Sequence, residues 1–551
     1  MMKKAFVAFA LLLSTQAHAL VDMKNANYSN TWIDMDVPGT GYDLKIVRTY
    51  NSRSLFNGMF GFGWCSDFET SMEVNAEGNI KVKECGGGLE VTFSPREVTR
   101  KDIDNTISQI IGKLRAEKKV GITEAYIKNL RSQLLEDDNV RSEMASQYGI
   151  TVPVKEGTRF FANGKEVEHF VFNKTYYTRN LPDGSAQRFN LQGKMTHIYD
   201  KNNNYLKFEY DKDSIASIQD NNGRRLGFKY YQNKKIRSIT GPNGLMAEYK
   251  FANLDDLSSV KNAWLKTYTY EYDELHNLTK ATWPDKTFVA IKYDKKNDWV
   301  IAFTDRDKCV ENYGYEFSQN DPRNHYWSTV KKTCGAEVVA ENKYEFWHQQ
   351  RADGQYYLHR VMTSVNGNVT DITYHPVFGK PTSIRRNSDR IAYEYYPDGL
   401  VKVKAAPNVR MAYQYDPQIK KVTSVSSTYF NEKGAKVSVK NTAFKYDGKG
   451  NLTFAQNSDG QKINMTYDNR GRIATITDQA KKVVRIQYEE RYGKPSIVTR
   501  PGLGTIVVSY KANGEINKVD SKEGPSVAMQ VASTFNNLLD IIAPATAEMY
   551  L

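Results

Sequence analysis

Hydrophobic and polar residues alternate along this chain in short segments, and each segment ends at a cluster of turn residues. In one segment, Val484, Ile486 and Tyr488 alternate with Arg485 and Gln487. This two-residue period is typical of a β-strand with one buried face and one face in water. The turns between segments contain Asp, Asn and Gly, which favour tight reversals. The pattern therefore predicts a series of β-hairpins.

The hairpin pattern returns at a nearly constant interval and is anchored by a Tyr-Asp pair. The interval is 21 residues from Tyr446 to Tyr467 and again from Tyr467 to Tyr488. At this period the chain holds roughly fifteen units. The three-residue step from Ile473 to Ile476 breaks the alternation and predicts a β-bulge or a bend. The repeat anchors that we predict are Tyr210, Asp211, Tyr272, Asp273, Tyr293, Asp294, Tyr446, Asp447, Gly450, Tyr467, Asp468 and Gly471.

A single hairpin of this kind is marginally stable in water, so neighbouring hairpins must bury a common core. The sequence therefore predicts a mainly β chain, with residues 151–523 forming one array of hairpins and residues 20–96 forming a β head in front of it. The composition fits this interpretation. There are 36 Tyr and 36 Gly, and aromatic residues favour strands whereas Gly favours tight turns.

The head and the ladder of Tyr-Asp anchors together resemble the Rhs/YD-repeat family of bacterial proteins. In the head, the resemblance is carried by Val37-Pro38-Gly39, Tyr50-Asn51-Ser52 and Phe60-Gly61-Phe62-Gly63-Trp64. In the array it covers about residues 158 to 520. The resemblance implies that the hairpins coil as one continuous sheet around a hollow, a β-shell or spiral, as in the shells of insecticidal toxin complexes and, more distantly, in teneurins.

Residues 97–150 have helical rather than strand periodicity. Ile103, Ile107 and Ile110 recur on one helical face, and a second helical run follows Gly121. We therefore predict a helical hairpin inserted between the head and the array. Because Thr is a favourable residue at the start of a helix, Thr99 is the expected N-cap of the first helix.

The two ends of the chain are predicted to differ from the array. Residues 1–19 have the basic start, the short apolar run and the Ala17-His18-Ala19 end of a secretory signal peptide. Residues 524–551 have one apolar helical face up to Pro544, which predicts a C-terminal amphipathic helix. We therefore expect an exported protein, located in the periplasm, on the outer surface or outside the cell, with no transmembrane helix after signal cleavage.

Four cysteines follow the predicted signal peptide, in a compartment where disulfides persist. We predict the bonds Cys65–Cys85 and Cys309–Cys334, which link residues 20 and 25 positions apart. Four cysteines allow three connectivities in principle. A zinc site would require closely spaced pairs such as C-x-x-C, and the sequence has none.

The chemistry of the chain points away from catalysis. The 551 residues contain no H-E-x-x-H, G-x-S-x-G or P-loop motif, so we predict no catalytic, cofactor-binding or metal-binding residues. The formal net charge of +13 includes Lys3 and Lys4 of the signal peptide and is otherwise spread along the array. A spread charge argues against specific nucleic-acid recognition and suits weak attraction to anionic polymers.

We therefore expect a non-enzymatic structural or interaction protein that binds an anionic cell-surface glycan or lipopolysaccharide. The candidate ligand-binding residues are Trp64, Trp283, Trp299, Trp327 and Trp347, which lie near turns or irregular stretches. An alternative function is a shell or chaperone component that encloses a separately encoded toxin or effector. A further alternative is a glycan-active hydrolase with a carboxylate pair assembled from distant strands.

Overall fold

The structure is a computed structural model of the 551-residue chain. It describes residues 20–521 except 76, 86–89, 96–99, 118–121, 151–153, 353 and 512–513, together with residues 529, 533–534, 541 and 543. The predicted signal peptide and the Thr99 cap lie outside the described residues. So does nearly all of the predicted C-terminal helix.

In its described residues, the head has nine strands in three small antiparallel sheets. One sheet has the order β1-β2-β3-β6, a two-stranded sheet contains β4 and β5, and a third has the order β7-β8-β9. The strands are β1 (Leu20–Asp22), β2 (Asn27–Val37), β3 (Leu44–Asn51), β4 (Asn57–Gly58), β5 (Gly61–Phe62), β6 (Trp64–Cys65), β7 (Ser71–Val74), β8 (Ile80–Lys83) and β9 (Glu90–Phe93). In β3 buried and half-buried side chains alternate, as the sequence pattern requires.

The insertion between the head and the array contains three helices, α1 (Arg100–Ala116), α2 (Glu124–Glu136) and α3 (Asp138–Gln147). Their apolar side chains form a small core of their own. The predicted helical hairpin corresponds to α1 and α2. The periodicity did not reveal α3, because its sequence DNVRSEMASQ is mostly polar and has only a weak apolar face.

The array is one antiparallel sheet in which each strand pairs with the next along the chain, and the described part contains 33 strands. They are β10 (Arg159–Ala162), β11 (Lys165–Phe172), β12 (Tyr176–Asn180), β13 (Ala186–Asn190), β14 (Met195–Tyr199), β15 (Tyr205–Asp211), β16 (Ser214–Asp220), β17 (Arg225–Tyr230), β18 (Ile236–Thr240), β19 (Met246–Phe251), β20 (Leu257–Lys261), β21 (Thr267–Tyr272), β22 (Leu278–Thr282), β23 (Phe288–Tyr293), β24 (Val300–Thr304), β25 (Val310–Phe317), β26 (His325–Cys334), β27 (Glu337–Gln350), β28 (Tyr356–Val365), β29 (Asn368–Tyr374), β30 (Pro381–Arg386), β31 (Asp389–Tyr395), β32 (Val401–Ala406), β33 (Val409–Tyr415), β34 (Val422–Phe430), β35 (Lys436–Tyr446), β36 (Leu452–Asn457), β37 (Lys462–Tyr467), β38 (Ile473–Asp478), β39 (Val483–Tyr488), β40 (Pro495–Arg500), β41 (Gly504–Tyr510) and β42 (Ile516–Ser521). The predicted mainly β array of hairpins is confirmed.

The β-bulge predicted from the sequence is present. Tyr467 pairs with Ile473, and the preceding Thr466 pairs with Thr475, so Ala474 is the extra residue. The same register shift occurs directly before Tyr272, Tyr293 and Tyr446. A bulge bends a strand and increases its twist, so its recurrence gives the ribbon a regular curvature.

Because every strand pairs with its sequence neighbour, the turns fall on two edges of the ribbon. We call the edge that carries the turns after odd-numbered strands the near edge, and the edge that carries the turns after even-numbered strands the far edge. Far-edge turns early in the ribbon contact near-edge turns much later. Lys201 Nζ donates to the Gly450 carbonyl (3.1 Å) and Asn451 Nδ2 donates to Asn202 Oδ1 (2.9 Å), in both cases across 249 residues.

These contacts form a seam, which continues where Arg470 Nη1 donates to Asn222 Oδ1 (2.7 Å). The ribbon therefore winds back onto itself. Its successive coil turns, each one full revolution of the sheet, meet edge to edge. Among the described strands, β10 and β42 do not pair with each other. The array is therefore an open coil and not a closed barrel, and the expected spiral is confirmed.

The main core lies between the head and one face of the array. Side chains of the head, such as Met35, Phe60 and Trp64, share a single buried cluster with array side chains from Phe160 to Phe303. We call the array face that carries these side chains the inner face and the opposite one the outer face. A second cluster, from Tyr393 to Ile486 with Ile541, forms the core of the later turn.

Candidate functional site

The anchoring tyrosines hold successive hairpins together through one recurring hydrogen bond. The Tyr467 hydroxyl donates to the Leu452 carbonyl (2.7 Å), and the Tyr272 hydroxyl donates to the Leu257 carbonyl (2.9 Å), in both cases 15 residues back. Tyr210, Tyr293 and Tyr446 donate to earlier backbone carbonyls in the same way. Burial raises the pKa of Tyr467 to about 12, so its hydroxyl stays protonated and can donate.

The aspartates and glycines of the anchors shape the turns. Asp468 Oδ1 accepts hydrogen bonds from the backbone N–H groups of Arg470 and Arg472 (both 2.9 Å). Asp273, Asp294 and Asp447 likewise accept backbone N–H groups of their own turns. Gly450 and Gly471 have φ values of 77° and 79°, which only Gly adopts without strain. Asp211 differs, because it extends β15 and pairs with Ser214.

A buried ion pair lies where the head meets the inner face. Arg48 Nε donates to Asp34 Oδ2 (2.5 Å), and both side chains are almost fully buried. Two array residues complete the cluster, since Arg48 Nη2 donates to the Tyr270 hydroxyl (2.7 Å) and the Tyr249 hydroxyl donates to Asp34 (3.0 Å). Burial alone would lower the pKa of Arg48, but the Asp34 carboxylate more than offsets it, so the pKa lies above its ordinary value. The head is thus fixed to the array by hydrogen bonds between its buried ion pair and two tyrosine hydroxyls, as well as by apolar packing.

The head also covers a succession of near-edge turns. Its segment from residue 53 to residue 72 runs along the turns that follow β23, β21, β19, β17 and β13. Three backbone hydrogen bonds join them, Phe62 N to Asp255 O (3.0 Å), Ile236 N to Met59 O (2.8 Å) and Met72 N to Gly193 O (3.0 Å). In addition, the Arg53 side chain donates through Nη1 to Asn297 O (2.7 Å), and the Phe62 and His276 rings are in contact. One end of the coil is therefore closed by the head.

The head also supports the first strand and the seam of the coil. Ser94 exchanges two backbone hydrogen bonds with Phe161 of the edge strand β10 (2.8 and 2.9 Å). Thr40 accepts a hydrogen bond from Asn222 at its carbonyl (2.6 Å) and donates through Oγ1 to the Glu490 carbonyl (2.7 Å). Thr40 thus joins two successive turns of the coil.

Three of the five candidate tryptophans do not form one exposed surface, although Trp64 and Trp283 both contact the ring of Trp32. Trp64 is fully buried in the main core, with Arg48 over its ring at 4.5 Å. Trp283 packs against the edge of the same cluster, and Arg306 lies over its ring at 5.0 Å. The Trp299 ring contacts Tyr315 and Phe317 in β25. No common surface unites these three residues.

Trp327 and Trp347 do come together, on the outer face of β26 and β27. The ring of Trp347 stacks on His325 at 4.8 Å, and Arg360 lies over it at 4.7 Å. His325 and Arg360 belong to the strands on either side of β27, so both faces of the Trp347 ring are covered. Lys343 lies over Trp327 at 4.8 Å. The geometry is that of a cross-strand ladder, and glycan binding by these residues stays a prediction.

The ladder contains a carboxylate with a shifted pKa. Glu345 accepts hydrogen bonds from His325 Nε2 (2.7 Å) and pairs with Lys343 Nζ (3.0 Å). Burial would raise the pKa of Glu345, but these two partners more than offset it, so the pKa lies below its ordinary value. The sequence did not reveal this residue. One partner, His325, lies on the neighbouring strand β26, and the other, Lys343, lies two residues earlier in β27.

Both predicted disulfides are present, with Cα–Cα distances of 5.4 Å for Cys65–Cys85 and 4.3 Å for Cys309–Cys334. The first joins β6 to the segment after β8, and the second joins the turn before β25 to the end of β26. Over the described residues, no three His, Cys, Asp or Glu side chains cluster in a way that suits a metal ion. None of the described helices has the length and apolar character needed to cross a membrane.

A coiled array of hairpins, with an end closed by its own head, defines the class of β-shell proteins. The family model described as teneurin YD-shell matches residues 161–352 and 353–500. The chain belongs to this family, and the resemblance to YD-repeat proteins is confirmed. A second model, described as a domain of unknown function (DUF6531), matches residues 19–93. The chain is therefore a shell-type structural protein.

Solved structures of toxin-complex proteins are similar to the chain at low identity. The crystal structure of TcdB2-TccC3-TEV is 11% identical, with a TM-score of 0.43, over 64% of this chain and 22% of that one. The Tc holotoxin pore of Photorhabdus luminescens is 11% identical, with a TM-score of 0.37, over 91% of this chain and 29% of that one. The chain thus spans less than a third of the length of these structures. No curated protein sequence matches it.

Proposed function

We propose that the chain acts outside the cytoplasm as a non-enzymatic structural shell, whose N-terminal head fills the first turn of the coil and closes one end. The observation that carries this proposal is the continuous path of residues 53–72 along the near-edge turns, above a shared core. The two disulfides are compatible with an oxidising compartment, where such bonds persist.

The use of the carboxylates supports a structural role. Asp273, Asp447 and Asp468 have their oxygens engaged by backbone N–H groups of their own turns. The buried Asp34 is neutralised by Arg48. Carboxylates held in this way are acceptors that fix the backbone, whereas a glycoside hydrolase needs a pair facing a groove that admits substrate.

Enclosure of a separately encoded toxin or effector is a second candidate function. The inner face of the first turn is occupied by the head, and the main core cluster ends at Phe303. The next cluster begins at Tyr393, in the later turn. A second polypeptide would therefore lie against the stretch between these two clusters, from β25 to β29, where most side chains are half-buried or exposed. Co-purification of a stoichiometric, protease-protected polypeptide from the native host would support this candidate, and its consistent absence would count against it.

Limited trypsin digestion of the full chain tests closure by the head. Lys235 lies in the near-edge turn after β17, is buried, and donates to the Gly58 carbonyl of the head (3.0 Å). We expect cleavage after Lys235 to be slow in the wild type and at least about tenfold faster in Arg48→Met, which removes the buried ion pair of the head and its hydrogen bond to Tyr270 of the array.

Lys83→Met is the matched control, because Lys83 is a half-exposed cation of the head whose ion pair with Glu73 lies at the surface. It should leave the digestion pattern unchanged. Rapid cleavage after Lys235 in the wild-type protein would contradict the proposal, since a closed end protects that turn.

A further inference from the structure

The end of the coil opposite the head carries a surface that neither the head nor the seam uses. It is made of the far-edge turns after β26, β28, β30, β32 and β34, and we call it the far rim. Its turns are joined laterally, since Phe430 N donates to the Asn408 carbonyl (2.9 Å) and Asn366 N donates to Asn342 Oδ1 (3.1 Å). The far rim is thus a continuous surface and not a set of independent loops.

Apolar side chains project from the hairpin tips of the far rim. Val437 in β35 is 66% exposed, and it is followed two residues later by another exposed valine. The neighbouring tips repeat this feature. The exposed valines of the far rim are Val338, Val339, Val365, Val369, Val437 and Val439. A run of exposed apolar tips along one edge is characteristic of a docking surface rather than of ordinary solvent-facing turns.

Two hairpin tips of the far rim are basic. At the turn after β30, Arg385, Arg386 and Arg390 surround a single acid, Asp389. At the turn after β34, Lys433, Lys436 and Lys440 surround a single acid, Glu432, and all four side chains are exposed. Lys440 is the one of these three lysines that forms an ion pair in the described part of the chain, with Asp459 at 2.7 Å. At the turn after β34, the excess of cations lies beside the exposed Val437 and Val439.

We propose that the far rim binds an anionic lipid surface, with the valine tips at the boundary of the acyl chains and the lysines and arginines against the lipid phosphates. A soluble polyanion would use the cations and leave the valines in water. A neutral bilayer would accept the valines and leave the cations without partners. An anionic lipid surface satisfies both features, because peripheral binding combines apolar insertion with attraction to anionic head groups.

Co-sedimentation of the full chain with vesicles tests this proposal. One set of vesicles contains phosphatidylcholine alone, and the other contains phosphatidylcholine with phosphatidylglycerol. We expect binding to the anionic vesicles and at least tenfold weaker binding to the neutral ones. No binding of the wild-type protein to anionic vesicles at low salt would overturn the proposal.

Two variants separate the contributions of charge and apolar contact. Lys433→Glu/Lys436→Glu should weaken binding at least about tenfold, since each basic residue near an anionic leaflet contributes about fivefold. Val437→Ser/Val439→Ser should retain vesicle binding at low salt concentration and lose the vesicle binding that persists at high salt concentration. All four residues are exposed at the hairpin tip, so the variants should melt at the wild-type temperature.

The matched control is Lys295→Glu/Lys296→Glu, the same charge change in an exposed near-edge turn at the other end of the coil. It should bind vesicles like the wild type. Equal losses in the control and the rim variant would mean that the overall charge drives binding, and would overturn the proposal. A second result would also overturn the proposal: the valine variant binds normally at all salt concentrations, and soluble heparin displaces the protein completely. The far rim would then be a binding site for soluble polyanions.

Discussion

Each anchoring tyrosine links two neighbouring hairpins through its side chain. Its ring packs on the inner side of the sheet, and its hydroxyl satisfies a carbonyl near the start of an earlier strand, as in Tyr467 to Leu452. Tyr272 does more, because its hydroxyl also accepts a hydrogen bond from Trp64 Nε1 of the head (2.8 Å). The same residue type thus stabilises the repeat and, at Tyr272 as at Tyr249 and Tyr270, also connects the repeat to the head.

This difference predicts unequal effects of removing the hydroxyl. Tyr467→Phe leaves a carbonyl without its partner and should cost about 1–2 kcal/mol of unfolding free energy. Tyr272→Phe leaves both a carbonyl and the Trp64 N–H unpaired and should cost clearly more. Urea unfolding measures both, with Tyr126→Phe as the control, because Tyr126 lies 46% exposed on α2. Equal costs for Tyr272 and Tyr467 would contradict the assignment.

At the residue scale, Glu345 predicts a pH dependence. Its pKa is lowered in the folded chain by His325 and Lys343, so the stability that it contributes is present above the ordinary pKa of about 4.5 and is lost as the pH falls through the lower folded value. Glu345→Gln should therefore be destabilised relative to the wild type at pH 7, and the difference should shrink at pH 3.5. A difference that is independent of pH in urea unfolding would contradict this.

At the element scale, the conformation of each hairpin is set by the residues of its own turn. The seam, in contrast, requires turns from distant parts of the chain to pack closely against each other. Gly471 and Gly460 both have positive φ values, 79° and 85°. A Cβ atom on Gly471 would overlap the Asn202 side chain across the seam, but a Cβ atom on Gly460 would meet nothing within 4 Å. A side chain at Gly460 therefore tests only the left-handed backbone of a turn, whereas a side chain at Gly471 also tests the close packing across the seam.

We predict that Gly460→Ala costs about 1–2 kcal/mol, the strain of a left-handed residue with a side chain. Gly471→Ala should cost the same strain and about 1–3 kcal/mol more, because Asn202 must move and its hydrogen bond to Asn451 is disturbed. Thermal or urea unfolding of the two variants measures the difference. Equal destabilisation would mean that the seam contributes little to stability.

The elements differ in how far the sequence predicts them. The bulge near Ile473 was predictable because it interrupts a two-residue period within six positions. The disulfides were predictable because short loops bring each pair together. Helix α3 was not, because ten mostly polar residues give almost no apolar period. The ladder of Trp347 was not either, since its neighbours His325 and Arg360 are set by pairing between strands.

At the scale of the whole molecule, the buried Asp34–Arg48 pair of the head holds the head in the coil through its hydrogen bonds to Tyr249 and Tyr270 of the array. Asp34→Asn leaves the Arg48 guanidinium buried and unpaired, which should cost about 3–5 kcal/mol. Glu73→Gln removes one partner of an ion pair whose two side chains are both 52% exposed, and it should cost less than about 1 kcal/mol. Chemical unfolding compares the two variants. A small effect of Asp34→Asn would contradict tight docking of the head.

The sequence by itself determined the repeat, its turns, its bulges and the two disulfides, because each depends on residues within about one hairpin of one another. Only the tertiary structure decided that the head occupies the first turn, that Asn202 meets Asn451 across 249 residues, and that valines and lysines gather on one rim. These features depend on the accumulated curvature of many bulged hairpins. A single repeat does not encode that sum, so no local pattern could predict where the ribbon returns.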